Sequence, residues 1–464
     1  MIMKRTQIMG YILTVLVLAG MLFVPESIGL NRAGIRTLGV LIAVIIALVT
    51  EILPIGITCI LSIALSVVFG AVPDITEALS GFTNHVLFFT LVSFGISEAI
   101  AAVPLSNRIL VLLIRFFGVK SKNLLFAVML CAAVLSSIMS NVATTAVLIT
   151  VILSLLKIYD DPDERKKSGK TFMIGLPIAS MIGGMMTPAG SPLNLLAMGY
   201  LEDAGIYISF VQWMVIAVPI TAVALVLAWL LIGRVFEPAQ IKEEKVWEYI
   251  ESLQIPDHFD KKERSVCVIM AGMLILWVLS SWIPALNITV VGTIGFALLF
   301  FPGIQVLTWE GYVKHVSWAS YFLIGSMMTF GNALNASGVS EWLVGTLFAG
   351  QMGLPVALIV LVICLLVFVL LIPIPIGPAL ISILGLPFVT LAHSWGISPV
   401  MLLMPLVLCA SNCYLLPLDT VPLLTYATGY YNIADMPKVS IAIQISIAVL
   451  IALWIPVSVG FLHL

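Results

Sequence analysis

Long apolar runs dominate the chain, and short polar clusters interrupt them. Runs of helical length fall near residues 8–24, 37–53, 54–71, 85–104, 171–200, 212–233, 265–283, 289–302, 316–335, 400–430 and 441–462. A helix needs about 20 apolar residues to cross a bilayer, whereas a spanning strand needs about 10 that alternate. The pattern is the helical one. Two more apolar stretches, 123–156 and 355–391, are broken near their middle. Two full crossings take about 40 residues, and 123–156 supplies only 34. Both stretches are therefore read as hairpins that enter and leave on one side. The predicted fold is an all-α membrane protein with eleven transmembrane helices and two re-entrant hairpins. The first run, Ile8–Val24, lacks a small-residue cleavage site and is followed by more spans, so it reads as a helix and not as a signal peptide.

Composition agrees. Of 464 residues, 61% are hydrophobic and 9% charged, against about 25% charged in soluble domains. Mean hydropathy is +1.18. A net charge of −2 implies no nucleic-acid partner. The six cysteines sit in apolar segments without CxxC spacing and read as small packing residues. Charge also sets the orientation. With the N-terminus in the cytoplasm, 19 of the 21 Lys and Arg, from Lys4 to Lys438, fall on inner segments, and only Arg32 and Arg36 fall outside. That is a strong positive-inside bias. It predicts a multi-pass protein of the cell (inner or plasma) membrane with its C-terminus outside. Basic segments flank 123–156, and none flanks 355–391. The two hairpins are thus expected to enter from opposite sides.

The chain also echoes itself. Asn84–Ala102 resembles Ser320–Gly338, and Thr187–Tyr200 resembles Asp419–Tyr430, each of the latter ending in Gly-Tyr (Gly199-Tyr200 and Gly429-Tyr430). Between the copies lies a mixed-charge stretch, Glu237–Arg264, expected to be a solvated linker or surface helix. The predicted organisation is 1–233 as a first repeat with an N-terminal helix, 234–264 as a cytoplasmic linker, and 265–464 as a second repeat of opposite topology with a C-terminal helix. Inverted repeats with broken helices mark secondary transporters, whose sites lie at the membrane midplane.

Two polar interruptions are the candidate site. Ser136–Thr150 carries hydroxyls and an amide between apolar runs, and Thr187–Asn194 carries two prolines and a glycine. A helix broken in lipid leaves N–H groups on one fragment, which attract anions, and C=O groups on the other, which attract cations. Ser136, Ser140 and Asn141 recur at a spacing that suits one face of a helix end, and their oxygens suit a hard cation such as Na⁺. A single Ser or Thr in such a place usually only satisfies a carbonyl or eases helix packing. The combination of hydroxyl-amide hairpin, Pro-Gly-Pro break and inverted copy points to a site.

At these residues the sequence resembles the divalent anion–sodium symporter family, the sodium-coupled dicarboxylate, citrate and sulfate carriers. Ser140-Asn141-Val142 with Ala143-Thr144 is similar to the family's Ser-Asn-Thr hairpin tip, with Val for Thr. Thr187–Asn194 is similar to its Thr-Pro-x-Gly-Thr-Pro-x-Asn break, with Ser191 for Thr. Thr50-Glu51-Ile52-Leu53-Pro54 with Thr58, and Gly81-Phe82-Thr83-Asn84, match further. The resemblance implies a scaffold domain that forms a homodimer and a transport domain that moves like an elevator. It implies one Na⁺ site on Ser136, Ser140, Asn141 and the Gly190 carbonyl. It implies a substrate site along Ser140, Asn141, Val142, Thr144, Ser191 and Pro192, completed in the second half by Gly377, Pro378, Ala379, Thr420, Val421 and Pro422. The second half departs from the pattern. Gly377-Pro378-Ala379 stands where Ser-Asn-Thr is expected, so the second sodium site looks lost, and Thr420-Val421-Pro422-Leu423 replaces Thr-Pro-Pro-Asn.

Asp419 directly precedes that last motif. An intramembrane carboxylate is a functional candidate, here a coupling site for a cation or proton, with capping of the next helix fragment as the alternative. His85, His315 and His393 read as interfacial. Glu51 and Glu98 stay open as partners of an arm helix. The expected function is transport of a small dianion, a C4-dicarboxylate or a related acid, by Na⁺ symport or by exchange, with sulfate as the alternative cargo. A channel would need a continuous polar filter. An enzyme would need a catalytic cluster, and neither HExxH nor GxSxG occurs.

Overall fold

Prolines and side-chain caps cut the apolar chain into separate helices. The computed structural model describes residues 5–26, 29–253, 255–256, 258–347 and 354–464, and these form helices, turns and loops with no strand. Lys4, counted above on the inner side, lies outside the described residues. The first half contains α1 (Arg5–Gly20), α2 (Arg32–Val49), α3 (Ile55–Val68), α4 (Ile75–Ala78), α5 (His85–Ala101), α6 (Leu105–Phe117), α7 (Ser121–Ser136), α8 (Asn141–Leu155), α9 (Pro162–Gly184), α10 (Pro192–Asp203) and α11 (Phe210–Val235). The polar stretch forms α12 (Glu243–Ser252). The second half contains α13 (Lys261–Leu279), α14 (Ile288–Leu298), α15 (Trp309–His315), α16 (Trp318–Ala336), α17 (Val339–Leu347), α18 (Val356–Leu370), α19 (Gly377–Trp395), α20 (Val400–Ala410), α21 (Thr420–Tyr426) and α22 (Pro437–Leu462).

The starts have local causes. Asn31 Oδ1 accepts from Gly34 N–H at 2.7 Å to open α2, and Asp260 Oδ1 accepts from Glu263 N–H at 2.6 Å to open α13. Ser209 and Gln212 form a capping box on α11. Pro162, Pro192 and Pro437 occupy first positions, where a missing N–H costs nothing.

Among the described residues, five helices are long and apolar enough to cross a membrane alone: Arg32–Val49, Asn141–Ile158, Phe210–Val235, Gly377–Trp395 and Pro437–Leu462. The segments starting at Asn141 and Gly377 are the second arms of the two broken stretches. α5 and α6 reach that length only as a pair, bent by 64°. Residues 105–117, read above as part of a basic inner segment, thus continue as a helix. It buries Leu110, Val111 and Ile114 and exposes Leu112 and Phe116. The runs at 171–200 and 400–430 are each divided, into α9 and α10 and into α20 and α21.

Among the described residues, burial separates two large apolar cores from a small cluster of Val72, Ala78 and Ala333. The larger gathers α5 to α14 with α18, α19, α20 and α22, around Phe89, Trp213, Trp277 and Phe388. The smaller gathers α2, α3 and α16, around Val40, Cys59, Met327 and Phe330. Each core mixes residues from before and after the polar stretch. α16 stands between them, because Ile324 and Met328 belong to the larger core while Leu323, Met327 and Phe330 belong to the smaller.

The polar stretch is folded against the protein. Val246, Tyr249 and Ile250 of α12 are buried, and Tyr249 OH donates to Val151 O of α8 at 3.1 Å. Lys245 pairs with Asp160. Arg108 of α6 pairs with the buried Glu263 carboxylate, and its guanidinium lies 4.5 Å from the Phe259 ring centre.

Candidate functional site

The helix ladder stops between α7 and α8 and again between α9 and α10, and the two interruptions touch. Ser136 Oγ donates to Asn141 Oδ1 at 2.6 Å. Ser140 Oγ caps α8 by accepting from Ala143 N–H at 3.2 Å, and Ser140 N–H donates to Ser97 Oγ of α5 at 3.0 Å. Thr145 Oγ1 donates to Ser180 Oγ at 3.0 Å, which ties α8 to α9. Glycines allow this approach. A Cβ on Gly183 would lie 2.3 Å from the Ala133 backbone, one on Gly184 would lie 2.2 Å from Asn141 Oδ1, and one on Gly190 would lie 2.9 Å from Ser136 O. Ser136, Asn141 and Gly190 of the expected cation set therefore meet, with Ser140 beside them in the chain.

The gap between α9 and α10 is stitched by side chains. Asn194 Nδ2 donates to Gly184 O and to Thr187 O, each at 2.8 Å. Thr187 Oγ1 donates to Ser137 O, and Trp213 Nε1 donates to Met185 O at 3.0 Å. These bonds supply the partners that orphan carbonyls require away from water. Ser191 Oγ caps α10 by accepting from Leu193 N–H at 3.3 Å, and Pro192 takes the first helical position. Thr144 is buried, and its Oγ1 has no hydrogen-bond partner among the described residues. Val142 is exposed.

The second half is built differently. Its gap runs from Ser411 to Asp419, so the break expected at Thr420–Leu423 lies earlier in the chain and Asp419 is its last residue. Asp419 Oδ1 accepts from Val421 N–H at 3.0 Å and caps α21. The capping role is therefore present. Thr420 is exposed, while Val421 and Pro422 are buried. At the start of α19, Ile376 makes no side-chain cap, in contrast to Ser140 on α8. Gly377 abuts the end of α20, where a Cβ would lie 3.1 Å from Ala410 O and from Leu193 Cδ1. Pro378 O accepts from Ser382 Oγ at 2.9 Å, and Ala379 packs in the smaller core.

One contact joins the two gaps directly, and sequence reasoning missed it. Asn412 Nδ2 donates to Leu408 O at 2.6 Å and lies 2.9 Å from Met185 Sδ, while Gln444 Nε2 donates to Asn412 O at 2.9 Å. A signal existed. Ser411-Asn412 is the same dipeptide as Ser140-Asn141, again within an apolar run. The tyrosines of the Gly-Tyr pairs noted above each lie against glycines of other helices. A Cβ on Gly331 or Gly385 would meet the Tyr200 ring, and one on Gly169 would meet Tyr430.

Charged groups lie at helix ends. His85 Nε2 pairs with Glu202 Oε2 at 2.9 Å, and His315 Nδ1 pairs with Glu98 Oε1 at 3.1 Å. This gives Glu98 its partner. In the segment before α22, burial alone would raise the Asp435 carboxyl. Hydrogen bonds from Lys438 Nζ, Asn432 N–H and Lys170 Nζ outweigh that and hold it down at about 2.

Residues 5–461 match the family described as the sodium:sulfate symporter transmembrane region. The chain belongs to this family. It is a helical, multi-pass membrane protein of a transporter family. Its curated relatives include the "Sodium-dependent dicarboxylate transporter SdcS" of Staphylococcus saprophyticus, 25% identical over 472 residues, covering 96% of this chain and 89% of the relative. The protein of the same name from Staphylococcus aureus strain USA300 is 24% identical over 474 residues with the same coverage. Two solved structures share the fold. The Alcanivorax borkumensis YdaH transporter superposes with a TM-score of 0.57 at 15% identity, covering 82% of this chain and 86% of that one. Neisseria gonorrhoeae MtrF superposes with a TM-score of 0.56 at 13% identity, covering 84% of each chain.

Proposed function

We propose that this protein is a sodium-coupled carrier of small dicarboxylates. The observation that carries the reading is the contact between the Ser136–Asn141 turn and the Gly184–Ser191 gap. It sets neutral oxygens beside the C-terminal end of α9 and the N-terminal end of α10. The first favours a hard cation and the second an anion, a few residues apart. Cation and anion then bind with mutual electrostatic help, which is the physical basis of symport. The naming of the relatives as sodium-dependent dicarboxylate transporters supports the cargo class.

Within this reading the chain spans the membrane eleven times, with two re-entrant hairpins and two inverted repeats, 1–233 and 265–464. The N-terminus is cytoplasmic and the C-terminus outside. The carrier is a homodimer and works by an elevator motion in which elements of the larger core move past α16. Na⁺ binds Ser136, Ser140, Asn141 and the Gly190 carbonyl. The substrate lies along Ser140, Asn141, Val142, Thr144, Ser191 and Pro192, facing Gly377, Pro378, Ala379, Thr420, Val421 and Pro422. Asp419 puts a fixed carboxylate at the start of α21, so the anion is drawn to the α10 side. The same carboxylate is the candidate coupling group.

A second reading, transport of an inorganic oxyanion such as sulfate, is favoured by the uncapped start of α19. A site lacking one hydroxyl-amide tip offers fewer bonds and suits a smaller dianion. Proteoliposome uptake of labelled succinate and sulfate, with and without a Na⁺ gradient, separates the two. Saturable, Na⁺-dependent succinate uptake supports the first reading. Sulfate uptake alone supports the second. Uptake stimulated by internal dicarboxylate without Na⁺ would replace symport with exchange.

A further inference from the structure

We infer that His85, Glu202 and Asp203 form a proton-binding site that fastens the end of α10 to the start of α5. His85 opens α5, and Glu202 and Asp203 end α10, beyond the apolar run 171–200. His85 Nε2 lies 2.9 Å from Glu202 Oε2, with the imidazole 47% exposed and the carboxylate 19%. A proton can therefore arrive from solvent while the carboxylate stays mostly covered. Two adjacent carboxylates at the C-terminal end of a helix repel each other and oppose the helix dipole. Burial, and then Asp203, push the Glu202 carboxyl up to about 7. Burial also raises Asp203, against the pull of His85. Around neutral pH the contact thus takes up or releases a proton, and the protonated form relieves the repulsion that otherwise loosens it.

The neighbouring helices offer no competing charge. α8, α14, α16 and α20, which pack on α5 or α10, carry no Asp, Glu, Lys, Arg or His; their titratable groups are Tyr321 and Cys409. α19 carries His393 in its last turn. Tyr200 of α10 is buried and bonded to Ser382 Oγ at 3.3 Å. The charged residues of α6 and α15, with Glu98, belong to the rest of α5, where His315 answers Glu98. The site also lies on the seam beside α16. A Cβ on Gly199 would lie 3.4 Å from Met328 Cε, 3.6 Å from Asn84 Nδ2 and 3.8 Å from Val86 Cγ2. α10 begins at Pro192, so displacement of its proposed anion-binding end past α5 must part His85 from Glu202. Protonation holds α10 in place, and proton loss frees it. The bearing on transport rests on the carrier reading above; the proton site itself does not.

The test labels an added thiol, Gly199→Cys, with a membrane-impermeant maleimide, the unsubstituted protein giving the background of the six native cysteines. The thiol is covered while α10 lies on α5, so labelling reads the open fraction. If Glu202 regains its ordinary 4.5 on opening, the docked-to-open ratio rises about tenfold from about pH 8 to about pH 6. Labelling of Gly199→Cys should therefore slow about tenfold over that range relative to the same protein with Glu202→Gln, in which thiolate loss is equal and the carboxyl is absent. A constant ratio between the two proteins overturns the inference. Where Gly199→Cys fails to fold, thermal unfolding of wild type and Glu202→Gln decides it. A carboxyl raised in the folded state gives up its stabilisation as pH rises from its ordinary to its folded value. Wild type should thus lose melting temperature relative to Glu202→Gln between pH 4.5 and about 7, and parallel curves overturn the inference. Na⁺-independent uptake alongside the expected labelling overturns the symport reading and leaves the proton site standing; a constant labelling ratio alongside Na⁺-dependent uptake does the reverse.

Discussion

Gly184→Ala is expected to displace one side chain and leave the fold standing. A Cβ at this position lies 2.2 Å from Asn141 Oδ1 and 2.9 Å from both its Cγ and Nδ2. Ordinary contact begins at 3.4 Å, so the amide must retreat by about 1.2 Å, the difference between the two distances. Asn141 is half-buried at the first turn of α8 and its side chain can rotate, but retreat breaks its bond from Ser136. One such bond is worth about 1 kcal/mol net. Ala for Gly within a helix returns about 0.5–1 kcal/mol. Stability should therefore change little. Cation binding should change greatly, because a ligand of the proposed Na⁺ site is moved by about 1.2 Å. A lost interaction with a charged group costs about 1.5–3 kcal/mol, or about 10- to 100-fold in affinity. The assay is the Na⁺ midpoint of succinate uptake, with the melting temperature of the same preparation. Gly183→Ala is the contrast. Its Cβ would meet backbone atoms of Ala133 at 2.3 Å, which cannot rotate aside, so α7 and α9 must separate and folded protein should be lost. Wild-type Na⁺ dependence in a stable Gly184→Ala protein would refute Asn141 as a ligand.

Four further outcomes are expected. Asn194→Leu removes the donors to Gly184 O and Thr187 O, and should cost about 2–4 kcal/mol by thermal unfolding, at about 1–2 kcal/mol per buried carbonyl left unpaired. Asp419→Asn keeps the oxygen that caps α21 and removes the charge, so the melting temperature should hold while cation coupling is lost; unchanged cation dependence of uptake would reduce Asp419 to a cap. Asp435 is held at about 2 against an ordinary 3.8. Its ion pairs thus stabilise the fold by about 2 kcal/mol above pH 3.8, and that advantage is lost as pH falls through 2, so Asp435→Asn and wild type should differ at neutral pH and converge in acid. Arg108→Ala strands the buried Glu263 carboxylate and should cost about 3–5 kcal/mol, whereas Arg108→Met combined with Glu263→Leu should recover most of it in the same unfolding assay.

Much of the architecture was legible because lipid imposes simple rules on composition. Apolar length placed most helices, and Thr187-Pro188 with Gly190 and Pro192 placed the first gap. The contact between the two first-half interruptions was suggested for the same reason, since hydroxyls and an amide within apolar runs need an explanation. Helix α6 was hidden by its charges: Arg108 and Arg115 read as loop residues, yet Leu110, Val111 and Ile114 share one helical face. The start of the second gap was hidden by its proline. Pro422 drew attention to the end of the interruption, whereas α20 already stops at Ala410. The Asn412–Met185 contact joins residues 227 positions apart, and no local pattern announces such a partner. Ser411-Asn412 was readable only as an echo of Ser140-Asn141.

The Asn194 amide has a mechanical consequence. By binding a carbonyl on each side of the α9–α10 gap, it closes the gap like a rivet. With Trp213 and Thr187 pinned to neighbouring carbonyls as well, the interruption cannot serve as a hinge. Any large displacement must be taken up where side chains only touch. α16 offers such a surface, with one face in each core and a notch at Gly331 filled by Tyr200. The stiff element holds the proposed site, and the compliance lies at the seam.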